Sequence, residues 1–216
     1  MTNTQEKNLS ALLDEGLAQM ALALSANQRE KIRAYVELLA KWNQTYNLTA
    51  VREPERMIGL HILDSLAVLP HIAPAQRILD VGTGGGLPGI PLAIANPDWQ
   101  ITLLDSLQKK TTFVRQAISE LALVNATVVC ERVEQFSPTE KFDVIISRAF
   151  AELADFVKGA AHLLADGGKM LAMKGLHPYD EIARLPTTHR VTQVIELTVP
   201  QIEGKRHLVV IEKNLP

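Results

Sequence analysis

Between residues 80 and 87 the chain reads Asp80-Val81-Gly82-Thr83-Gly84-Gly85-Gly86-Leu87, a carboxylate followed by a glycine-rich loop suited to a nucleotide-like ligand. A dinucleotide fingerprint needs G-x-G-x-x-G with the pyrophosphate on the next helix N-terminus, and here Leu87 stands where the third glycine belongs. Asp80 points the same way. A carboxylate two residues before the first glycine repels a pyrophosphate and suits a cation, and S-adenosylmethionine carries a sulfonium and an ammonium. Asp105, followed by Ser106, is placed to accept from two ribose hydroxyls of the same nucleoside. Reading the glycines as a mere tight turn leaves the register of the two acids unexplained.

Such a site needs a sheet to position it. From Arg77 the sequence alternates strands near 77–81, 100–104, 126–130, 142–147 and 168–173 with helices near 88–95, 107–122, 151–164 and 178–185. Continuous apolar runs such as Val144-Ile145-Ile146 suit strands buried on both faces, and the alternation implies a parallel sheet with right-handed crossovers. The predicted fold class is therefore α/β, a doubly wound Rossmann-like sheet. Two last strands, 191–199 and 207–211, read as an antiparallel hairpin at one edge. Residues 1–75 read as a helical cap: Leu9, Leu12, Leu13, Leu17 and Met20 recur at helical spacing, and Ser25 with Gln28 forms a capping box. Pro54 opens a further helix with apolar Ile58, Ile62, Leu66 and Leu69. Ligands in such a sheet lie beyond the strands' carboxyl ends, which here carry Asp80, Asp105-Ser106, Glu131 to Glu134, Ser147-Arg148 and Lys174-Gly175.

Composition narrows the class. With 216 residues, 47% hydrophobic and 21% charged, the chain can bury a core as a monomer, its expected state. Its mean hydropathy of +0.06 comes with no apolar run long enough for a membrane span. The polar first ten residues lack a signal-peptide pattern, so a cytoplasmic location is expected. The lone Cys130 excludes an internal disulfide, and no metal site is expected. Cys130 ends an apolar strand and reads as a small core residue. Charge is even: 7 basic against 8 acidic side chains in residues 1–76, and 15 against 16 in residues 77–216. Neither half is a basic arm, so a nucleic-acid substrate would be gripped through few, local contacts or presented by another component.

The run Asp80-Val81-Gly82-Thr83-Gly84-Gly85-Gly86-Leu87-Pro88-Gly89-Ile90-Pro91 is accompanied by Asn47-Leu48-Thr49-Ala50, His61-Ile62-Leu63-Asp64-Ser65 and Leu104-Asp105-Ser106 with Lys109-Lys110. Ser147-Arg148-Ala149-Phe150, Met173-Lys174-Gly175 and Arg206-His207-Leu208-Val209-Val210 complete the set. Together they resemble the bacterial 16S ribosomal RNA guanine-N7 methyltransferase family, over nearly the whole chain. The resemblance implies a class I S-adenosylmethionine-dependent methyltransferase sheet in residues 76–216 behind the N-terminal cap. It implies S-adenosylmethionine as cofactor, and as substrate a guanine in the decoding-region stem-loop of 16S rRNA, within the small ribosomal subunit or its precursor. Cofactor contacts carried over by position fall on Gly82, Leu87, Val133, Glu134 and Arg148. Asp80, Thr83, Gly84, Gly86, Asp105 and Ser106 join them from the loop and the strand ends, with Val133-Glu134 suiting an adenine pocket.

In-line methyl transfer gains most from alignment. An exocyclic adenine amine would favour an Asn/Asp-Pro-Pro-aromatic motif where Ser147-Arg148-Ala149-Phe150 stands, and pyrimidine C5 chemistry would need a cysteine nucleophile. Guanine N7 has an available lone pair and loses no proton, so no catalytic base is assigned. Asn47, Ser147 and Arg148 are the positioning candidates. For RNA the candidates are His61, Asp64, Lys109, Lys110, Lys174 and Arg206. Three other readings stay open: a Rossmann NAD(P) oxidoreductase, a class I methyltransferase of a small molecule or protein, and a non-catalytic S-adenosylmethionine-binding module.

Overall fold

The structure is a computed structural model that describes residues 3–72, 77–148, 150 and 152–214. The expected boundary at 75/76, and Ala149 of the run after the fourth strand, lie outside the described residues.

Helices α1 (Asn3–Gln19) and α2 (Ala26–Tyr46) open the chain. Ser25 caps α2 with its hydroxyl on the Gln28 N–H, and the Gln28 carboxamide accepts from the Ser25 N–H, the reciprocal box its sequence predicts. The helix expected from Pro54 is not one continuous α-helix. Pro54–Met57 is α-helical (α3), Ile58–Leu63 widens into a π-helical turn, and Asp64–Leu66 resumes as α4. Periodicity alone does not register this change of pitch, which alters the direction of the side chains at 58–64.

Strands β1 (Arg77–Val81), β2 (Gln100–Asp105), β3 (Ala126–Cys130), β4 (Phe142–Ser147) and β5 (Leu164–Lys174) run parallel. They alternate with α5 (Gly89–Ala95), α6 (Gln108–Glu120) and α7 (Leu153–Ala160). The short α8 (Tyr179–Ala183) leads to β6 (His189–Leu197) and β7 (Arg206–Lys213). The order is β3-β2-β1-β4-β5-β7-β6, with β7 inserted antiparallel between β5 and β6. β5 begins four residues earlier than its apolar run predicts, because Leu164 already pairs with Phe142 before the register shifts to Lys169 opposite Val144. The intervening Gly167-Gly168 reads locally as a turn but lies in a strand irregularity.

Strand residues alternate between two cores. Ile78, Ile101, Leu103, Val144 and Ile146 join Leu9, Leu13, Ile32, Val36 and Phe113 on one face, while Leu79, Leu104 and Ile145 join Phe156 and Val157 on the other. The N-terminal helices therefore share their core with the sheet. Among the described residues no helix is long and apolar enough to cross a membrane.

Candidate cofactor cleft and its neighbours

The loop after β1 is fixed from three sides. The Gly82 and Thr83 N–H groups both donate to the Leu104 carbonyl, at 2.8 and 3.1 Å, which ties the loop to β2. The Thr83 hydroxyl and the Gly89 N–H both donate to Asp80 Oδ2, at 2.6 and 2.8 Å. Tyr35 of α2 reaches across the core and donates to the Gly85 carbonyl at 2.5 Å. Glycine is required at Gly86, where φ is +91° and an added Cβ would stand 2.5 Å from Ile90 Cγ1. It is required again at Gly89, where a Cβ would press on Leu103 and on the Asp80 carboxylate.

Asp80 is fully buried, and its Oδ1 has no hydrogen-bond partner. Burial pushes its pKa up to about 6, against the Thr83 and Gly89 hydrogen bonds and the Arg148 charge, with Asp105 adding to the rise. An unsatisfied buried carboxylate oxygen calls for a donor, and a cationic donor most of all.

Beside it, beyond the ends of β1 to β3, lies a cleft of about 360 Å³. Gly82, Asp105 and Ser106 form one wall, and Val133, Glu134 and Phe150 the other. Asp105 Oδ2 accepts from the Gly84 N–H at 3.0 Å and Oδ1 from the Leu107 N–H at 2.9 Å, while Lys110 Nζ lies 3.6 Å from Oδ2. A carboxylate has about four acceptor positions, so two remain for paired hydroxyls. Val133 offers an apolar surface and Glu134 an acceptor beside it. A Cβ on Gly159 of α7 would lie 3.3 Å from Val133, 3.7 Å from Glu134 and 3.9 Å from Phe150, so α7 backs this wall closely. The Asp80 charge behind the loop, the part-free Asp105 and the Val133-Glu134 wall together fit a nucleoside with a cationic tail.

Of the residues singled out from sequence, Gly82, Asp105, Ser106, Val133 and Glu134 line this cleft. Asp80, Thr83, Gly84, Gly86, Leu87 and Arg148 do not line it; Thr83 and Leu87 are buried, the loop residues shape the loop from behind, and Arg148 lines a second cleft beside Asp64. Asn47 does not line the cleft. It caps α2 in the left-handed conformation and accepts from Arg52 Nη2 at 2.7 Å. The Ser147 hydroxyl donates to the Val81 carbonyl at 2.8 Å, joining β4 to β1. Lys109 is exposed on α6. Cys130, expected in the core, is exposed at the end of β3, because β3 is the edge strand. Tyr35 and Gly159 escaped sequence reasoning: an aromatic on an apolar helix face and a glycine inside a helix both read as packing.

A second group gathers where the π-helical turn meets β4, β5 and β7. His61 and Asp64 are both buried. His61 Nδ1 faces the Leu60 carbonyl at 2.9 Å and so carries the proton, leaving Nε2 to accept from the Thr49 hydroxyl at 2.8 Å. Burial, with Arg148 nearby, brings its pKa down to about 4. Asp64 stands between two arginines, with Oδ2 3.3 Å from Arg148 Nη1 and Oδ1 3.1 Å from Arg206 Nε. Arg148 also donates to the Leu60 carbonyl at 3.2 Å. Lys174 is mostly buried, bonded to the Phe150 carbonyl at 3.1 Å and to Glu181 at 2.7 Å, so it braces α8 against β5.

The family profile for rRNA small subunit methyltransferase G matches residues 28–209. The chain belongs to the rRNA small subunit methyltransferase G family. Within it, the chain is 60% identical to the ribosomal RNA small subunit methyltransferase G of Laribacter hongkongensis, covering 94% of this chain and 97% of that one. It is 56% identical to the Chromobacterium violaceum protein of the same name, over 93% and 96% of the two chains. The fold is also that of a putative O-methyltransferase from Klebsiella pneumoniae, with a TM-score of 0.59 at 14% identity, covering 98% of this chain and all of that one. It is the class I methyltransferase fold that the family resemblance implies, on the doubly wound α/β sheet that the alternation of strands and helices predicts.

Proposed function

We propose that this chain transfers a methyl group from S-adenosylmethionine to N7 of a guanine in the decoding-region stem-loop of 16S rRNA. The observation that carries this reading is the 60% identity, along 94% of the chain, with a ribosomal RNA small subunit methyltransferase. Asp105 would accept from the cofactor's ribose hydroxyls and Glu134 from its adenine amine above the Val133 surface, while Asp80, buried behind the loop, would attract the ammonium through its charge. When bound, the cofactor supplies a methyl group whose S–C bond breaks as the N7 lone pair forms the new N–C bond, the bonding pair remaining on sulfur. N7 loses no proton, so the chain's work is to hold the two reactants in line, for which oriented reactions gain roughly 7–11 kcal/mol. No role is assigned to Asn47 or Ser147 in this scheme; the Asn47 carboxamide oxygen accepts from Arg52 and the Ser147 hydroxyl donates to the Val81 carbonyl.

As proposed, the protein acts as a cytoplasmic monomer on the small subunit or its precursor, whose RNA and proteins supply part of the recognition surface. That accommodates a formal net charge of −2. The test is transfer of labelled methyl to small subunits from cells lacking this gene, beside naked 16S RNA and wild-type subunits. Label in the deficient subunits alone is expected. Cofactor binding with no label in any RNA would move the reading to a small-molecule or protein substrate, or to a non-catalytic binding module.

A further inference from the structure

We propose that the cleft beside Asp64, between the π-helical turn and the carboxyl ends of β4 and β5, seats the target guanine, and that Asp64 with its two arginines distinguishes guanine from adenine. This rests on the function proposed above and assigns the substrate side of the same reaction.

The cleft holds about 320 Å³, at the small end of ligand pockets. Its polar lining includes Asp64, Arg148 and Arg206, and its apolar lining Leu60, Met173 and Leu197. The two clefts open on the same edge of the sheet: the first lies beyond the ends of β1 to β3, this one beyond β4 and β5, and β4 pairs directly with β1. A base held here therefore lies on the side of the sheet where the cofactor cleft opens.

The cluster is costly to build. Asp64 is buried with 5% of its side chain exposed, and taking that carboxylate out of water carries a desolvation cost that its two partly exposed arginines offset. Its arrangement suits recognition. Each Asp64 oxygen has an arginine on one side and a second acceptor position left, so the cluster presents cationic donors next to acceptors. Guanine carries the complement, the O6 acceptor beside the N1–H and N2–H donors. Adenine reverses the pattern, setting an amine against the arginine and the N1 lone pair against the carboxylate. O6 neighbours N7, so O6 on Arg148 turns N7 toward the cofactor side, while N1–H and N2–H donate to Asp64. Leu60, Met173 and Leu197 give apolar surface to a ring extruded from the RNA. Once methylated, the ring is cationic, and the Asp64 charge favours that product.

The test uses small subunits reconstituted with guanine, or with inosine, which lacks the 2-amine, at the target position. With the wild-type chain, kcat/KM on inosine is expected to fall about tenfold or more, as loss of a hydrogen bond to a charged group implies. Asp64→Asn is expected to bring the guanine-to-inosine ratio close to one, with the S-adenosylmethionine dissociation constant unchanged. A second variant leaves the ion pairs intact: Gly175 lines the cleft, and a Cβ there has nothing within 4 Å. Gly175→Phe is expected to fill the cleft, abolishing transfer while cofactor binding persists. Equal wild-type rates on guanine and inosine, an unchanged ratio in Asp64→Asn, or full activity in Gly175→Phe would each overturn the assignment while leaving the proposed function standing. No wild-type label on the guanine subunits would overturn the function itself.

Discussion

Asp80 and Asp105 are both acids at strand ends, yet their surroundings divide the work. Asp105 lines the cleft and keeps acceptor capacity, so Asp105→Asn is expected to weaken S-adenosylmethionine binding roughly tenfold or more, read by calorimetry. Asp80 is fully buried, with its pKa near 6, and only its ionised form attracts a cationic donor. Cofactor affinity is therefore expected to weaken as pH falls through about 6, and Asp80→Asn to bind weakly with no such dependence; a wild-type affinity flat between pH 5 and 7 would contradict this role. The same shift enters stability. Asp80 binds its proton more tightly folded than unfolded, so its contribution favours folding at low pH and is lost as pH rises through about 6. His61, brought down to about 4, acts oppositely: its contribution is present above 6.5 and lost as pH falls toward 4. Relative to wild type, Asp80→Asn should gain stability between pH 4 and 6 as pH rises, and His61→Gln should lose it, both read from urea midpoints. Spacing made the two acids legible in the sequence. The burial of His61 and Asp64 was not, because the π-helical turn redirects a face that regular helical spacing sets apart from the apolar stripe.

At the scale of elements, the glycine loop depends on a helix 50 positions away in sequence, through Tyr35 and Gly85. Tyr35→Phe keeps the ring and removes that hydroxyl, so the expected loss is about 1 kcal/mol of stability together with several-fold weaker cofactor binding. Unchanged affinity would show that the tether is structural only. Gly86→Ala meets both a positive φ and Ile90, and a cost of about 1–3 kcal/mol is expected in thermal unfolding. Most strands were legible because their apolar runs are continuous and bounded by polar ends, as in 77–81, 126–130 and 142–147. The early start of β5 was hidden by Gly167-Gly168, whose composition signals a turn while pairing with β4 carries the strand through. Pairing between distant segments leaves no local trace of this kind.

For the whole molecule, the N-terminal helices and the sheet share one core, so this segment supports the cofactor loop as well as covering the sheet. The even charge balance bears on recognition. The formal net charge is −2, and among the described residues Arg148, Arg206 and Lys174 near the ends of β4, β5 and β7 are held in internal ion pairs, which limits what they offer to phosphates. Binding to naked 16S RNA is accordingly expected to be weak, with a log–log salt slope of magnitude below about 3; a slope several times steeper would indicate a broad basic surface instead. The most direct test of the central claim is nucleoside mass spectrometry of 16S rRNA from cells lacking this gene, before and after return of the wild-type or Asp105→Asn chain. The expected result is one N7-methylguanosine in the decoding-region stem-loop, absent without the gene, restored by the wild-type chain and reduced with the variant. An unchanged N7-methylguanosine content in the cells lacking the gene would contradict it.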